Sequence, residues 1–383
     1  MAEFDEMLAA LASPQGAVAT VVAASGSTYR HEGARMLLRP ASEAIGGISG
    51  GCLEAEVAAA AVEVVSSGRA RVLRFDHTGD DEAVWGWGLG CHGAIDVLIE
   101  PAADAARFST LVAEARSQGR TVVLATIIEG AMLGRRMLVH HDGRWEGAVG
   151  DGATHAVIRA ESGRALRRGR SLTVTSPAGR VFLEVVEPPP QLIVCGAGWD
   201  SPPLVEHGAR LGWRVVVIDD RRALLDTRRF PSAQRLHVAA PLDAAGAVGP
   251  ERHTYVVVMT HSFRRDRDYL CSFLSTPIAY LGMLGPRARL DRLLEELQAE
   301  GISPSPADLV KLHGPAGLDV GAEGPEEIAL AIAAEILAVR AARPGSRLRD
   351  RSVKRSIGTY QAGEVSVTGE RVGARPLRAR PVS

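Results

Sequence analysis

The sequence predicts an α/β protein in two parts: an N-terminal α/β domain on a mixed sheet, then a C-terminal doubly wound domain on a parallel sheet. Three observations carry this. Short apolar runs rich in valine and isoleucine alternate with runs of good helix formers along most of the chain. A stiff Pro188-Pro189-Pro190 break separates a stretch with hairpin signals from one where strands and helices alternate. Just after it, Gly196-Ala197-Gly198 turns from strand into helix, and the next strand ends in an acid, Asp219.

Length and composition fit that division. At 383 residues the chain exceeds one ordinary domain. Its formal net charge of −1 argues against dedicated nucleic-acid binding. The charge is unevenly spread, since residues 341–383 hold ten Lys/Arg against three Asp/Glu. Cys52, Cys91, Cys195 and Cys271 show no C-x-x-C spacing, so a zinc ribbon or a thioredoxin-like motif is not expected. A disulfide framework is also unexpected in a chain of this size, and a reducing cytoplasm fits. The acidic start, Met1 to Met7, has no apolar signal core, and no run has the length of a membrane span.

In chain order, Glu3 to Ala12 reads as a helix and Gln15 to Ala24 as a buried strand. The polar loop 25–35 carries Arg30, His31 and Arg35. Ala34 to Arg39 and Glu43 to Ile48 suggest a strand pair. Gly46-Gly47-Ile48-Ser49-Gly50-Gly51-Cys52 then turns into a helix over Leu53 to Val65. Arg71 to Phe75 is a strand leading to the acidic run 76–82 and to Gly88-Leu89-Gly90-Cys91-His92-Gly93, which opens the strand Ile95 to Glu100. A helix (102–117), a buried strand (121–128), a hairpin around Asp142-Gly143, a helix (153–166) and two strands (172–175, 181–186) complete this part. His140 and His141 are expected on the surface beside the hairpin turn. The first domain is therefore drawn over residues 1–187, with the proline linker at 188–190.

The second part, residues 191–342, is β-α-β throughout. Its strands are expected at 191–195, 214–218, 255–259 and 279–283, and its helices at 203–211, 287–300 and 326–341. Its opening turn resembles a dinucleotide fingerprint and makes the domain Rossmann-like. Gly196 makes the turn, Gly198 admits a pyrophosphate to the helix start, and Asp219 is placed to hold a ribose hydroxyl. Ser201 stands at the third glycine position, followed by Pro202-Pro203. His261 falls at the C-terminal end of a strand, where such sheets bind ligands. The tail 343–383 has no periodicity and reads as disordered.

The chemistry-bearing stretch is Ile45 to Val57. Four glycines surround one thiol, and glycine lets another molecule approach the backbone closely. Successive amides at a turn and a helix start attract anions, and a cysteine placed there tends toward thiolate. The turn can thus hold an anion, present a reactive sulfur, or only reverse the chain. Cys91 is the second glycine-framed thiol.

Several stretches together resemble the xanthine dehydrogenase accessory family of XdhC/CoxI type. They are Gly26-Ser27-Thr28 with Gly33-Ala34-Arg35-Met36, the specific Ser49-Gly50-Gly51-Cys52-Leu53-Glu54, and Gly88-Leu89-Gly90-Cys91 with Gly93. Gly196-Ala197-Gly198, Leu211 to Val215, Asp219 with Arg221, and Gly317 to Gly321 with Pro325 to Ala329 follow in family order. Pro286, Glu323 and Trp199 depart from the usual pattern. The resemblance implies a cytoplasmic chaperone that binds molybdenum cofactor (molybdopterin) and delivers it, after sulfuration, to an apo molybdenum hydroxylase such as xanthine dehydrogenase or carbon monoxide dehydrogenase. It implies a maturation factor rather than a catalyst. A cysteine desulfurase is then an expected partner, and a homodimer the expected state. On this reading Cys52 is the functional thiol and the contact to cofactor-bound molybdenum, with Cys91 beside it. Gly50, Gly51, Gly90, Arg30 and Arg35 surround the cofactor, and Gly196, Gly198 and Asp219 form a second, nucleotide-type site. The rival reading is an NAD(P)-dependent oxidoreductase that uses the Rossmann-like domain alone.

Overall fold

The computed structural model describes residues 2–40, 44–76 and 93–350. The described residues up to 345 form one unit. It holds three sheets, built from strands β1 to β16 in chain order.

The first sheet contains β1 (Ala17–Gly26), β2 (Arg35–Leu38), β3 (Ala44–Gly46), β4 (Arg71–Asp76) and β5 (Gly93–Pro101), in spatial order β3-β2-β1-β5-β4. The second contains β6 (Val122–Ile127), β7 (Arg136–His140), β8 (Trp145–Gly147), β9 (Leu172–Ser176) and β10 (Gly179–Val186), in spatial order β8-β7-β6-β10-β9. Every neighbouring pair in both is antiparallel. The mixed sheet expected from sequence is thus replaced by two antiparallel ones. The short connections after β1, β2, β6 and β7 can only reverse the chain, and a parallel pair needs a long crossover.

These two sheets are copies of one plan. Each is preceded by a helix (Ala2–Ala10, Ala102–Ser117) and carries another between its third and fourth strands (Glu54–Ser67, Gly152–Arg168). The register repeats as well. Val18 faces Glu100 and Thr20 faces Arg35 in the first copy, as Leu124 faces Glu184 and Thr126 faces Arg136 in the second. Gly46 and Gly147 end the third strands, both at positive φ (82° and 87°) and both against the carbonyl of the equivalent arginine, Arg35 or Arg136.

The copies meet face to face. Val22 and Leu98 of one sheet pack on Ile128 and Phe182 of the other. Beside this apolar centre the arginines cross reciprocally, Arg35 to Glu184 and Arg136 to Glu100. The outer faces are covered by the copies' own helices. Val57, Ala60, Ala61 and Val64 close the first core, and Ile158 and Ala165 the second. His140, expected on the surface, is buried at 6% exposure and bonds Glu146 at 2.9 Å, because β7 is an interior strand of its sheet.

The third sheet is wholly parallel: β11 (Gln191–Cys195), β12 (Arg214–Asp219), β13 (Arg235–Val238), β14 (Thr254–Val258), β15 (Tyr280–Met283) and β16 (Leu312–His313), ordered β13-β12-β11-β14-β15-β16. Both faces are covered, by Pro202–Arg210 with Pro325–Arg340 on one side and by Phe263–Leu274 with Arg287–Ala299 on the other. That double burial explains unbroken apolar runs such as Val215 to Ile218.

Breaking the Arg136–Glu100 pair strands a carboxylate at 1% exposure. Arg136→Met is expected to cost about 3–5 kcal/mol, and Arg136→Met with Glu100→Leu to recover most of it. Urea unfolding of the two variants beside wild type measures the difference.

Candidate functional site

In the first sheet the antiparallel order makes β1, β3 and β4 run the same way, so the loops that follow them leave from one end. The loop after β1 spans 27–34, matched in length by 128–135 in the second copy. The other two differ. Residues 47–53 link β3 to its helix where the second copy uses 148–151, and residues 77–92 link β4 to β5 where the second copy uses only 177–178. The first copy is therefore enlarged at the two places that carry Cys52 and Cys91. Cys91 and Gly90, with His92 and most of the acidic run, lie outside the described residues.

The Cys52 turn is closed by a carboxylate. Glu54 Oε1 accepts the Ser49 N–H at 3.0 Å, and Oε2 accepts the Leu53 N–H at 3.1 Å and the Ser49 hydroxyl. Ser49 Oγ in turn accepts the N–H groups of Gly51 (3.1 Å) and Leu53 (3.3 Å). Burial alone would raise the Glu54 carboxyl, but these hydrogen bonds outweigh it and hold the group below its ordinary value. Gly51 has φ +112°, a backbone that L side chains rarely adopt, and nothing lies within 4 Å of where its Cβ would be. The turn thus carries Cys52 exposed. Among the described residues no acceptor meets the N–H of Gly50 or Cys52.

The neighbouring loop packs on this turn. A Cβ at Gly50 would lie 3.7 Å from the Tyr29 ring, which is 69% exposed. The same loop grips the entry to β5, where a Cβ at Gly93 would lie 2.7 Å from the Thr28 methyl and 2.8 Å from the Ser27 carbonyl oxygen. One loop therefore touches both the Cys52 turn and the residue that follows Cys91 by two.

Arg30 and Arg35 are placed differently from a pair of free helpers. Arg30 bonds Glu3 at 3.0 Å, and Glu3 also accepts the Gly47 N–H at 3.2 Å, which pins the start of the turn. Arg35 is buried in its pair with Glu184 and donates to the Gly33 carbonyl at 3.0 Å. Both arginines line a cleft of about 550 Å³, together with Arg116, Arg340, Glu184 and Glu187. Sequence reasoning placed Ser49 and Glu54 in the specific stretch without giving them a role, and passed over Glu3. Ser49 and Glu54 stood in a visible serine-to-glutamate spacing at a helix start, whereas Glu3 reaches Gly47 across 44 residues and left no local signal.

In the parallel sheet Gly196 has φ +114° and a Cβ there would strike the Met259 carbonyl at 2.9 Å. Asp219 is 1% exposed and does not face a ribose site. Its carboxylate accepts the Ala197 N–H (2.7 Å), the Arg221 N–H (2.8 Å) and the Arg221 guanidinium (2.8 and 2.9 Å). Burial would raise this carboxyl, but the Arg221 and Ala197 bonds bring it down to about 2. Pro202 and Pro203 remove two amides from the helix start. These residues do not fit the dinucleotide cradle expected from the fingerprint. Burial pushes the Cys195 thiol far up, so it is no nucleophile. Among the described residues no group of three or more His, Cys, Asp or Glu is arranged to hold a metal ion, and no helix is long and apolar enough to cross a membrane.

Comparison with known proteins covers nearly the whole chain. Residues 10–76 and 115–176 match the family model described as the XdhC and CoxI family, and residues 192–336 match that of the XdhC Rossmann domain. The chain is 32% identical over 343 residues to a Bacillus subtilis (strain 168) protein described as a probable xanthine dehydrogenase subunit, covering 89% of this chain and 98% of that one. A crystal structure described as a xanthine dehydrogenase from Bacillus halodurans superposes with a TM-score of 0.74 at 29% identity, over 91% of this chain and 98% of that one. A shorter match, 37% identical over 91 residues, is to the molybdenum cofactor insertion chaperone PaoD of Escherichia coli (strain K12), covering 24% of this chain and 28% of that protein.

Because the folded Glu54 carboxyl sits below its ordinary 4.5, its contribution is complete above that pH and is lost as pH falls through the lowered value. Glu54→Ala is expected to cost about 1.5–3 kcal/mol at neutral pH, the worth of charged hydrogen bonds. Unfolding curves of wild type and variant should converge as pH drops below that range.

Proposed function

The chain belongs to the XdhC and CoxI family, and from that premise we propose that it is an accessory protein that binds molybdenum cofactor and helps insert it, sulfurated, into an apo molybdenum hydroxylase. The observation that supports this best is the one-sided enlargement of a duplicated fold. Two copies share a plan, and only the first is built out, at the two loops that hold Cys52 and Cys91. Packing the sandwich needs neither insertion, since the second copy manages without them.

The residues suit such a cargo. When bound, the cofactor brings a thiolate-seeking metal and a phosphate. Cys52 offers an exposed soft donor, which is the ligand type that suits a dithiolene-bound metal or a transferable sulfur. Gly50 and Gly51 let the cargo approach the backbone, and the N–H groups of Gly50 and Cys52, which meet no acceptor among the described residues, suit an anion. Cys91 precedes Gly93 by two residues in sequence, and the loop that touches Gly50 also packs on Gly93. Arg30 acts through Glu3 to set the turn, and Arg35 through Glu184 to set the sheet beneath it. The client is a xanthine dehydrogenase or a carbon monoxide dehydrogenase, a cysteine desulfurase supplies the sulfur, and the protein works in the cytoplasm as a homodimer. The relative described as a dehydrogenase subunit suggests a lasting complex and the one described as an insertion chaperone a passing one.

Wild type purified from cells that make the cofactor should retain molybdenum and pterin, by mass spectrometry and by fluorescence after oxidation. Cys52→Ala should lose at least tenfold of both and fail to activate an apo-hydroxylase, with its thermal midpoint unchanged because the side chain is exposed. Equal retention and delivery by Cys52→Ala would remove Cys52 from the site, and absence of molybdenum and pterin from wild type would sink the carrier reading.

A further inference from the structure

The strand order reverses between β11 and β14, so a crevice opens above their C-terminal ends, where doubly wound sheets take ligands. The usual dinucleotide contacts are missing there: Asp219 is spent on Ala197 and Arg221, and two prolines open the helix. Other groups occupy the place. Asp200, on the β11 side, and His261, on the β14 side, join across the crevice through a 2.7 Å hydrogen bond from His261 Nε2 to Asp200 Oδ2.

This contact is held at a local cost. The Asp200 side chain is 9% exposed, yet its Oδ1 is buried without any hydrogen-bond partner. His261 is one of two described non-glycine residues at positive φ, 59°. Its side chain is nonetheless 56% exposed, so core packing does not explain the conformation. Strain and an unsatisfied carboxylate in one spot mark a group held for a task. A carboxylate only accepts, so Nε2 carries the hydrogen, and in that tautomer Nδ1 is the acceptor. Among the described residues nothing meets Nδ1.

The surroundings define what fits. Trp199, between Gly198 and Asp200, is 74% exposed and offers an indole face. Only glycine fits at 198, since a Cβ there would lie 2.6 Å from Asp200 Oδ1 and 4.0 Å from the His261 ring, so the turn lets Asp200 reach His261. Ser201 is fully buried and ties the turn by donating to the Gly198 carbonyl at 3.0 Å. Arg229 holds the Ala197 and Gly198 carbonyls at 3.1 and 2.7 Å, so the turn keeps its shape.

We propose that Trp199 and His261 bind a planar nitrogen heterocycle with an N–H or amino donor, the chemistry shared by a purine base and a pterin. The ring stacks on Trp199 and donates to His261 Nδ1. Asp200 is a positioning residue that fixes the imidazole. This site stands apart from the carrier reading of Cys52.

The test uses the full chain, calorimetry and tryptophan fluorescence, with 6-carboxypterin, GMP and NAD as probes. Saturable binding of 6-carboxypterin supports the site and assigns it to a pterin; saturable binding of GMP supports it and assigns it to a nucleotide base. Trp199→Ala is expected to weaken the bound probe about tenfold or more, as loss of a stacking platform does. His261→Gly suits the left-handed backbone, so it should keep or raise the thermal midpoint while weakening binding at least about tenfold. Asp200→Asn should weaken it less, and Cys52→Ala should leave it unchanged. Failure of 6-carboxypterin and GMP to bind at millimolar concentration overturns the proposal. So does binding of any probe, NAD included, that survives both His261→Gly and Trp199→Ala.

Discussion

Two guanidinium–carboxylate pairs, Arg35–Glu184 and Arg136–Glu100, cross between the two antiparallel sheets, and the N-terminal half is built around them. Each arginine starts the second strand of one copy and each glutamate lies on the fifth strand of the other. The pairs flank an apolar centre of Val22, Leu98, Ile128 and Phe182. Burial disfavours charged Arg136, but Glu100 more than offsets this and holds it protonated. Such pairs seldom add net stability over apolar packing, but an unpaired survivor is costly. They therefore specify how the copies face each other. A sheet slipped by one residue would turn Arg35 away from Glu184.

With the sandwich fixed, the loops after β1, β3 and β4 are free to vary at one end. The second copy keeps all its connections short. The first keeps the loop after β1 and lengthens the other two, and it secures the lengthened Cys52 turn from two sides. Glu54 gathers the amides of Ser49 and Leu53, and Glu3 holds Gly47 while pairing with Arg30. The thiol is thus exposed on a turn whose backbone is set by carboxylates. The same logic appears in the parallel sheet, where Asp219 and Arg229 lock the glycine turn that leads into Trp199 and Asp200, and Asp200 bonds His261.

Much of this was legible in the sequence, for local reasons. The turn Gly46 to Cys52 and its helix follow from glycine and helix propensities in adjacent residues. The strand-turn-helix at Gly196 and the buried strands over 214–219 and 254–258 follow from continuous apolar runs. What was hidden depended on contacts between distant residues. Antiparallel order was obscured because β3 and β8 are three residues each and carry little pattern. The edge strand Arg235–Val238, short and only partly buried, was not among the expected strands. The duplication is written in the register of Thr20, Arg35 and Glu100 against Thr126, Arg136 and Glu184, whose sequence offsets differ, so no fixed repeat shows. Asp219 has the residue type and position of a ribose ligand, and only the direction of its carboxylate reveals that it serves the turn.

The most direct measurement is hydrogen exchange on the full chain with and without bound molybdenum cofactor. The two copies serve as each other's control. The account predicts slowed exchange in 27–34, 47–53 and 77–92, with the matching connections 128–135 and 148–151 unchanged. Protection shared equally by both copies, or confined to 196–201 and 259–262 on protein shown to be loaded, would contradict it.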